Sequence, residues 1–203
     1  MNVILMGPPG SGKGTQAAAL AGRHGLQHVS TGELLRAAVA SGSELGRRVA
    51  GILAAGELVP DEVMMQVVRE RLRDAAGGWL LDGFPRTVPQ ADGLAALLAE
   101  LDAADATVVL LEVPDAEIVK RLAGRLTCAD CGRVTSRADA APAGGAPRCP
   151  GCGGGRLEVR ADDREETVRN RLAVYRAKTV PAAESLGRRF PLRRVDGRGS
   201  PAE

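Results

Sequence analysis

A short apolar run, Asn2-Val3-Ile4-Leu5-Met6, is followed at once by Gly7-Pro8-Pro9-Gly10-Ser11-Gly12-Lys13-Gly14-Thr15 and then by Gln16-Ala17-Ala18-Ala19-Leu20-Ala21. The first stretch has the residues of a strand and the last those of a helix. Glycines between them let successive backbone N–H groups converge on one point. The helix N-terminus adds partial positive charge, and Lys13 adds a full one. The ligand that suits such a cradle is a polyphosphate. The strict phosphate-loop pattern has Ser or Thr directly after the Lys, whereas Gly14 here precedes Thr15, so the flanking strand and helix carry the reading. An ordinary strand-to-helix turn needs fewer glycines. The spacing of Gly10, Gly12 and Gly14 does not match the dinucleotide fingerprint either.

A chain of 203 residues fits one domain with an insertion and can bury a sizeable core. Aromatic residues are limited to Trp79, Phe84, Tyr175 and Phe190, so the core is expected to consist of Ala, Leu and Val. A bound base would then have few rings to stack on, and an Arg guanidinium plane is the more available platform. All but three of the 27 basic residues are Arg, which suits bidentate phosphate contacts, although base composition of the coding DNA can produce the same bias. A net charge of +2 argues against a general nucleic-acid binder. The N-terminus has no basic leader, and no apolar run approaches membrane-spanning length, so a soluble cytoplasmic protein is expected.

Gly25 to Val29 reads as a second strand, ending at Ser30-Thr31-Gly32-Glu33, where Ser30 and Glu33 have capping-box spacing for a helix. A second helical stretch runs from Glu44 to about Ala55 and a third from Asp61 through Arg73. Their glycine punctuation suggests a flap over the cradle rather than core. Trp79 to Leu81 reads as a buried strand ending in Asp82, at the edge where a parallel sheet presents ligands. Asp82 can there hold the waters of Mg²⁺ opposite Lys13, while Asp82-Gly83 alone would be only a turn. Arg86 follows in a proline-stiffened loop, with Gln90 one helical turn on; a Gln amide suits adenine because it donates and accepts along one edge. Ala106 to Val113 is another buried strand, and Pro114-Asp115 opens a helix. The stretch from Cys128 to about Gly155 has no helical or alternating period and reads as an insertion. Helix resumes near Asp162, with Asp163 and Glu166 at capping spacing; Pro181 is expected to break or kink it before a last strand, Leu192 to Val195.

Cys128-Ala129-Asp130-Cys131-Gly132 and Cys149-Pro150-Gly151-Cys152-Gly153 are two knuckles with seventeen residues between Cys131 and Cys149. That spacing lies within the zinc pattern and uses every cysteine of the chain. Four thiolates fill a tetrahedral Zn²⁺ and leave no open position, so the metal would staple the insertion rather than catalyse. A redox pair is the competing reading, but such motifs come singly.

Gly7 to Gln16, Ser30-Thr31-Gly32 to Arg36, Leu81-Asp82-Gly83-Phe84-Pro85-Arg86-Thr87 with Gln90, Gly124-Arg125, the cysteine knuckles and Arg160 through Arg171 together resemble the adenylate kinases, in their bacterial, zinc-containing, long-lid form. The resemblance runs in order through nearly the whole chain. It implies an α/β, P-loop nucleoside-monophosphate kinase fold, with a five-stranded parallel sheet flanked by helices in a single domain, 1–203. The core would be 1–29, 60–124 and 163–203, with a monophosphate-binding flap at 30–59 and a zinc-ribbon lid at 125–162. It implies Mg²⁺-dependent phosphoryl transfer from ATP to AMP, giving two ADP, by a cytoplasmic monomer without nucleic-acid or membrane partners. Gly10, Ser11, Gly12, Lys13, Gly14 and Thr15 would hold ATP, with Arg125, Val134, Thr135 and Gly199. Thr31, Arg36, Leu58, Val59, Gly83, Arg86, Gln90, Arg160 and Arg171 would hold AMP. Lys13, Asp82, Arg86, Arg125, Arg160 and Arg171 would carry the chemistry. His24 and His28 are expected to be surface or packing residues, because a phosphate acceptor needs no general base. The chain departs from the family at Val134-Thr135-Ser136, where Tyr-His is common, at Leu126, where a second Arg is frequent, and at Glu203, where relatives usually continue into a helix. Competing readings are the same chemistry on UMP or CMP, disfavoured by Thr87 and Gln90, and a nucleotide-switched zinc-ribbon binding module, disfavoured by Arg36, Arg86 and Gln90.

Overall fold

The computed structural model describes residues 1–75, 77–103, 105–140 and 146–199. Residues 141–145 of the expected insertion and 200–203 of the expected domain lie outside them. Strands β1 (Asn2–Met6), β2 (Gln27–Ser30), β3 (Trp79–Asp82), β4 (Thr107–Glu112) and β8 (Leu192–Asp196) form a five-stranded sheet in the order β2-β3-β1-β4-β8. All four pairings are parallel. A parallel sheet is covered on its faces by its crossover helices, which is why β1 and β3 are almost uniformly buried instead of alternating. The covering helices include α1 (Lys13–His24), α4 (Asp61–Arg73), α5 (Val88–Glu100) and α9 (Val180–Gly187), while α6 (Asp115–Ala123) and α8 (Glu165–Val174) pack on each other through Ile118, Leu122, Val168 and Leu172. Because β1 is central, the ends of β2, β3 and β1 open side by side at one edge.

Two further helices, α2 (Thr31–Ala40) and α3 (Glu44–Ala54), stand between β2 and α4. Leu35 of α2 and Val49 of α3 pack into the same buried cluster as Ile4, Leu81 and Leu94. Their apolar faces have nowhere else to go, and burial of each such side chain contributes ~1.5–3 kcal/mol. The α2–α3 corner is tight. Ser43 caps α3 by accepting from the Gly46 N–H at 3.1 Å, and a Cβ on Gly46 would lie 2.0 Å from the Ala38 carbonyl oxygen.

The insertion has more order than its composition indicates. Strands β5 (Arg125–Cys128), β6 (Val134–Ser136) and β7 (Leu157–Glu158) form an antiparallel sheet in the order β6-β5-β7, with a short helix α7 (Arg137–Ala140) beside it. Single-strand periodicity is invisible when strands are two to four residues long. Pro181 does not break the last helix either. The path from α8 to α9 continues through a π turn at Tyr175–Thr179, and Pro181 sits in the first turn of α9. The wider turn accommodates a ring that has no N–H to give and would clash in an ordinary helix interior.

Gly46→Ala is therefore expected to cost ~1–3 kcal/mol or more in urea unfolding, since backbone must shift. Gly51, inside α3 with nothing within 4 Å of its Cβ position, is the comparison. Gly51→Ala is expected to gain ~0.5–1 kcal/mol in the same measurement.

Candidate active site

The loop between β1 and α1 needs glycine at two points. Gly10 has φ +75° and its Cβ would lie 2.8 Å from Leu122, and Gly12, capping α1, has φ +91°. Lys13 folds back over this loop, where its Nζ donates to the carbonyls of Gly7 at 2.8 Å and Pro8 at 2.7 Å. Burial pushes the ammonium down to about 7; Asp82 opposes this, while Arg86, Arg171 and Arg125 add to it.

Asp82 closes β3 in register with Leu5 of β1 and Ser30 of β2. Its carboxylate lies beside the glycine loop, 3.7 Å from where a Gly14 Cβ would be. The Ser30 hydroxyl donates to Asp82 Oδ2 at 3.3 Å and makes no cap bond, so the capping box expected with Glu33 does not form. Thr31 donates to the Asp82 carbonyl at 3.2 Å. His24 is exposed as expected, but His28 is not a simple packing residue. It is paired with Leu80, two positions before Asp82 on the same sheet face, and its buried Nε2 stands 3.8 Å from Asp82 Oδ2 without a hydrogen-bond partner. The carboxylate raises the imidazole above its usual value. Burial works against ionisation of Asp82, yet His28 and Lys13 outweigh it and hold the carboxyl below the ordinary range.

Around this carboxylate the structure gathers arginines from separate elements. Arg86 Nε donates to the Gly83 carbonyl at 2.8 Å, and a Cβ on Gly83 would lie 3.2 Å from Thr31 Oγ1 and 3.3 Å from Arg86 Nη2. Burial, then the neighbouring Arg171, takes the Arg86 guanidinium down to about 10. Burial, then Arg36 and Arg125, does the same to Arg160, whose Nε donates to Thr127 at 2.8 Å. Arg36 and Arg171 are also lowered by burial, with Asp162 opposing. Asp163 was expected to cap α8. Its buried side chain instead accepts a forked pair of bonds from Arg125, one of them 2.7 Å from Nε, and lies 3.4 Å from Arg171. Arg171 also pairs with Asp162 at 2.8 Å. The consecutive acids between Arg160 and Arg164 were the sequence signal for this role.

The remaining expected residues are more dispersed. Gln90 is buried in the first turn of α5, Val59 is buried and Leu58 half-buried between α3 and α4. Val134 and Thr135 pair with Thr127 and Leu126 across the small sheet. Gly199 is exposed beyond β8. Two further side chains organise these neighbourhoods. Asp61 accepts from both Thr87 and Gln90. Arg121 donates to the carbonyls of Gly197 and Arg198, each at 2.9 Å.

In the insertion, the Sγ atoms of Cys128, Cys131, Cys149 and Cys152 all lie within 4.8 Å of one another. The Cys128–Cys152 and Cys131–Cys149 separations are 3.6 Å, too long for disulfides and close to the ~3.8 Å edge of a tetrahedron with ~2.3 Å metal–sulfur bonds. Four sulfurs this close together are a donor set suited to a soft divalent metal.

What these elements concentrate is positive charge around a glycine loop, at the open end of a parallel sheet and beside one ionised carboxylate. That defines a class, the P-loop proteins that handle phosphate chains. The family described as adenylate kinase matches residues 5–188. An adenylate kinase of Citrifermentans bemidjiense is 48% identical over 202 residues, 98% of this chain and 94% of the relative. Adenylate kinases of Trichlorobacter lovleyi and Paracoccus denitrificans are 47% and 45% identical, covering 100% and 97% of this chain and 95% and 90% of their own lengths. The chain belongs to the adenylate kinase family, and it is a nucleoside-monophosphate kinase, a phosphotransferase.

The buried Lys13 makes stability depend on pH in a definite direction. Its folded value, about 7, lies below the ordinary 10.5, so between these values the unfolded chain holds the extra proton and stability rises with pH. Lys13→Met lacks this contribution. Its stability advantage over the wild type is expected to shrink by roughly 1–2 kcal/mol from pH 7 to pH 9, read by urea unfolding of the two proteins side by side.

Proposed function

We propose that the chain transfers the γ-phosphoryl group of ATP to AMP, reversibly, giving two ADP. The observation that carries this is the convergence of Lys13, Arg36, Arg86, Arg125, Arg160 and Arg171 on one site with Asp82, Asp162, Asp163 and, beside Arg36, Glu33 as the carboxylates that partly balance them. Two phosphate chains meeting there would supply the missing negative charge.

Gly10 through Thr15 would hold the ATP phosphates, with Arg125 across them and Val134, Thr135 and Gly199 toward the donor base. Thr31, Arg36, Leu58, Val59, Gly83, Arg86 and Gln90 would form the acceptor site. Arg160 and Arg171 would lie between the two. An oxygen of the acceptor phosphate attacks the γ-phosphorus while the bond to the bridging oxygen breaks, so ADP leaves one side as ADP forms on the other. The acceptor is already an anion and needs no general base; the work is alignment and neutralisation of charge. Asp82, held ionised beside Gly14, and the hydroxyl of Thr15 are the hard oxygen donors that would hold Mg²⁺ and its waters. When bound, the ion neutralises phosphate oxygens.

Residues 30–59 and 125–162 would move as flap and lid over the core formed by 1–29, 60–124 and 163–203, excluding water as they close. In the arrangement seen here the flap rests against α8. Asn170 of α8 donates to the Ala55 carbonyl at 2.9 Å, and a Cβ on Gly56 would lie 2.7 Å from Arg171 Cγ. The four cysteines would hold a structural Zn²⁺ that keeps the small sheet together. The protein would act as a cytoplasmic monomer on free nucleotides, without nucleic-acid or membrane partners; no helix among the described residues is long and apolar enough to cross a membrane.

Counting nucleotides after Mg-ATP is mixed with AMP, GMP, CMP, UMP or no acceptor tests the reading. Two ADP per ATP consumed, with AMP alone, is the expected result; transfer to a pyrimidine instead would overturn the acceptor assignment. In the same assay Arg86→Ala is expected to lower kcat/KM for AMP by about 10²–10³. ATP affinity should change less than about threefold, and equal loss for both nucleotides contradicts the division of sites. Removing metal with a chelator is expected to lower Tm by roughly 4–16 °C, the effect of a cross-link worth ~2–4 kcal/mol at this chain length. An unchanged melt with metal removed would rule out the staple.

A further inference from the structure

Gln90 is held by groups that each work in one direction. Its Oε1 accepts from the Arg86 backbone N–H at 2.7 Å, and its Nε2 donates to Asp61 Oδ1 at 2.7 Å. A backbone N–H can only donate and a carboxylate oxygen can only accept. Turning the amide over would set donor against donor and acceptor against acceptor. Gln90 is 1% exposed, so either mismatch would be left inside the protein. Asp61 is itself fixed: it opens α4, and the same Oδ1 accepts from Thr87, the residue that caps α5 and also receives the Gln90 N–H at 3.2 Å.

An amide has two N–H donors and two acceptor sites on its oxygen. Asp61 and Arg86 use one of each, so one donor and one acceptor remain, in an order that cannot reverse. That order is what distinguishes purines. A 6-aminopurine presents a donor at position 6 beside an acceptor at N1, and a 6-oxopurine presents the reverse. An amide free to flip would serve both equally.

We propose that Asp61 is a specificity-determining positioning residue, which selects 6-amino over 6-oxo purine monophosphates by fixing the orientation of the Gln90 amide. The proposal rests on the reading that Gln90 faces the acceptor base. Asp61 touches no substrate in this scheme; it acts through Gln90.

Asp61→Asn keeps the shape and adds a donor, so either orientation of Gln90 then finds a partner at that end. Asp61→Ser, whose hydroxyl both donates and accepts, does the same with a smaller side chain and serves if the first variant does not fold. Initial rates with Mg-ATP and either AMP or GMP give the ratio of the two kcat/KM values. In either variant this ratio is expected to fall about tenfold, the scale of one hydrogen bond. KM for ATP and kcat at saturating AMP should stay within about twofold. Glu62→Gln removes the neighbouring first-turn charge of α4 without reaching Gln90 and is expected to keep the wild-type ratio. A folded Asp61→Asn or Asp61→Ser protein with the wild-type ratio overturns the proposal, as does an equal fall in Glu62→Gln. A wild-type chain that uses GMP as readily as AMP would overturn the acceptor reading and the proposal together.

Discussion

Holding several cations out of water and close to one another is the constraint that the rest of this structure answers to. Lys13 at about 7 and Arg86 and Arg160 at about 10 register first the loss of water around these groups and then the nearness of other cations. They and Arg171 remain there because each is anchored to a different element: the start of α1, the loop after β3, the segment after β7 and the body of α8. Carboxylates balance part of the charge, Asp82 from the sheet edge and Asp162 with Asp163 from the approach to α8. The surplus is positive, and a polyphosphate is its natural complement. Anions arriving in the site would offset the charge that these side chains bring together.

The scaffold meets that constraint through rigid backbone geometry. In the parallel sheet, three strand ends emerge together, so the glycine loop, Ser30 and Asp82 meet without any long side chain having to reach. The loop after β3 is held at several points. Thr179, at the end of the π turn, donates to the Arg86 carbonyl at 3.1 Å, while the Arg86 N–H is taken by Gln90. The irregular turn thus gives Pro181 room in the helix and directs a hydroxyl at the loop that carries Arg86. The Gln90–Asp61–Thr87 set completes the arrangement and ties that loop to the start of α4.

Local capping chemistry was the least faithful guide to this molecule. Ser30 with Glu33 and Asp163 with Glu166 both have the right spacing, and both oxygens go elsewhere, to Asp82 and to Arg125 with Arg171. In each case a charged partner from a distant part of the chain outcompetes the helix N–H, because a charge-assisted bond in a buried site is stronger than a neutral cap. Where no such partner is near, the local rule holds, as at Ser43; at Thr87 the hydroxyl donates to the distant Asp61 and still accepts the cap bond, because a hydroxyl can do both. The same distinction explains His28. Its strand position was readable, but its approach to Asp82 exists only because β2 and β3 pair in one particular register.

The amino-acid sequence alone determined the glycine loop with its strand and helix, the carboxylate closing β3, the four-cysteine knuckles and the family to which they belong. These are legible because their chemistry depends on residue type at short spacing, which folding cannot rearrange. Tertiary structure decided which oxygen each Ser and Asp serves, that α2 and α3 share the main core, that Pro181 is absorbed into a continuous helix, and that Asp61 orients Gln90. Those outcomes depend on which groups from remote elements arrive within hydrogen-bonding distance. In a buried site, partners are chosen by that proximity and by charge, whatever their separation along the chain.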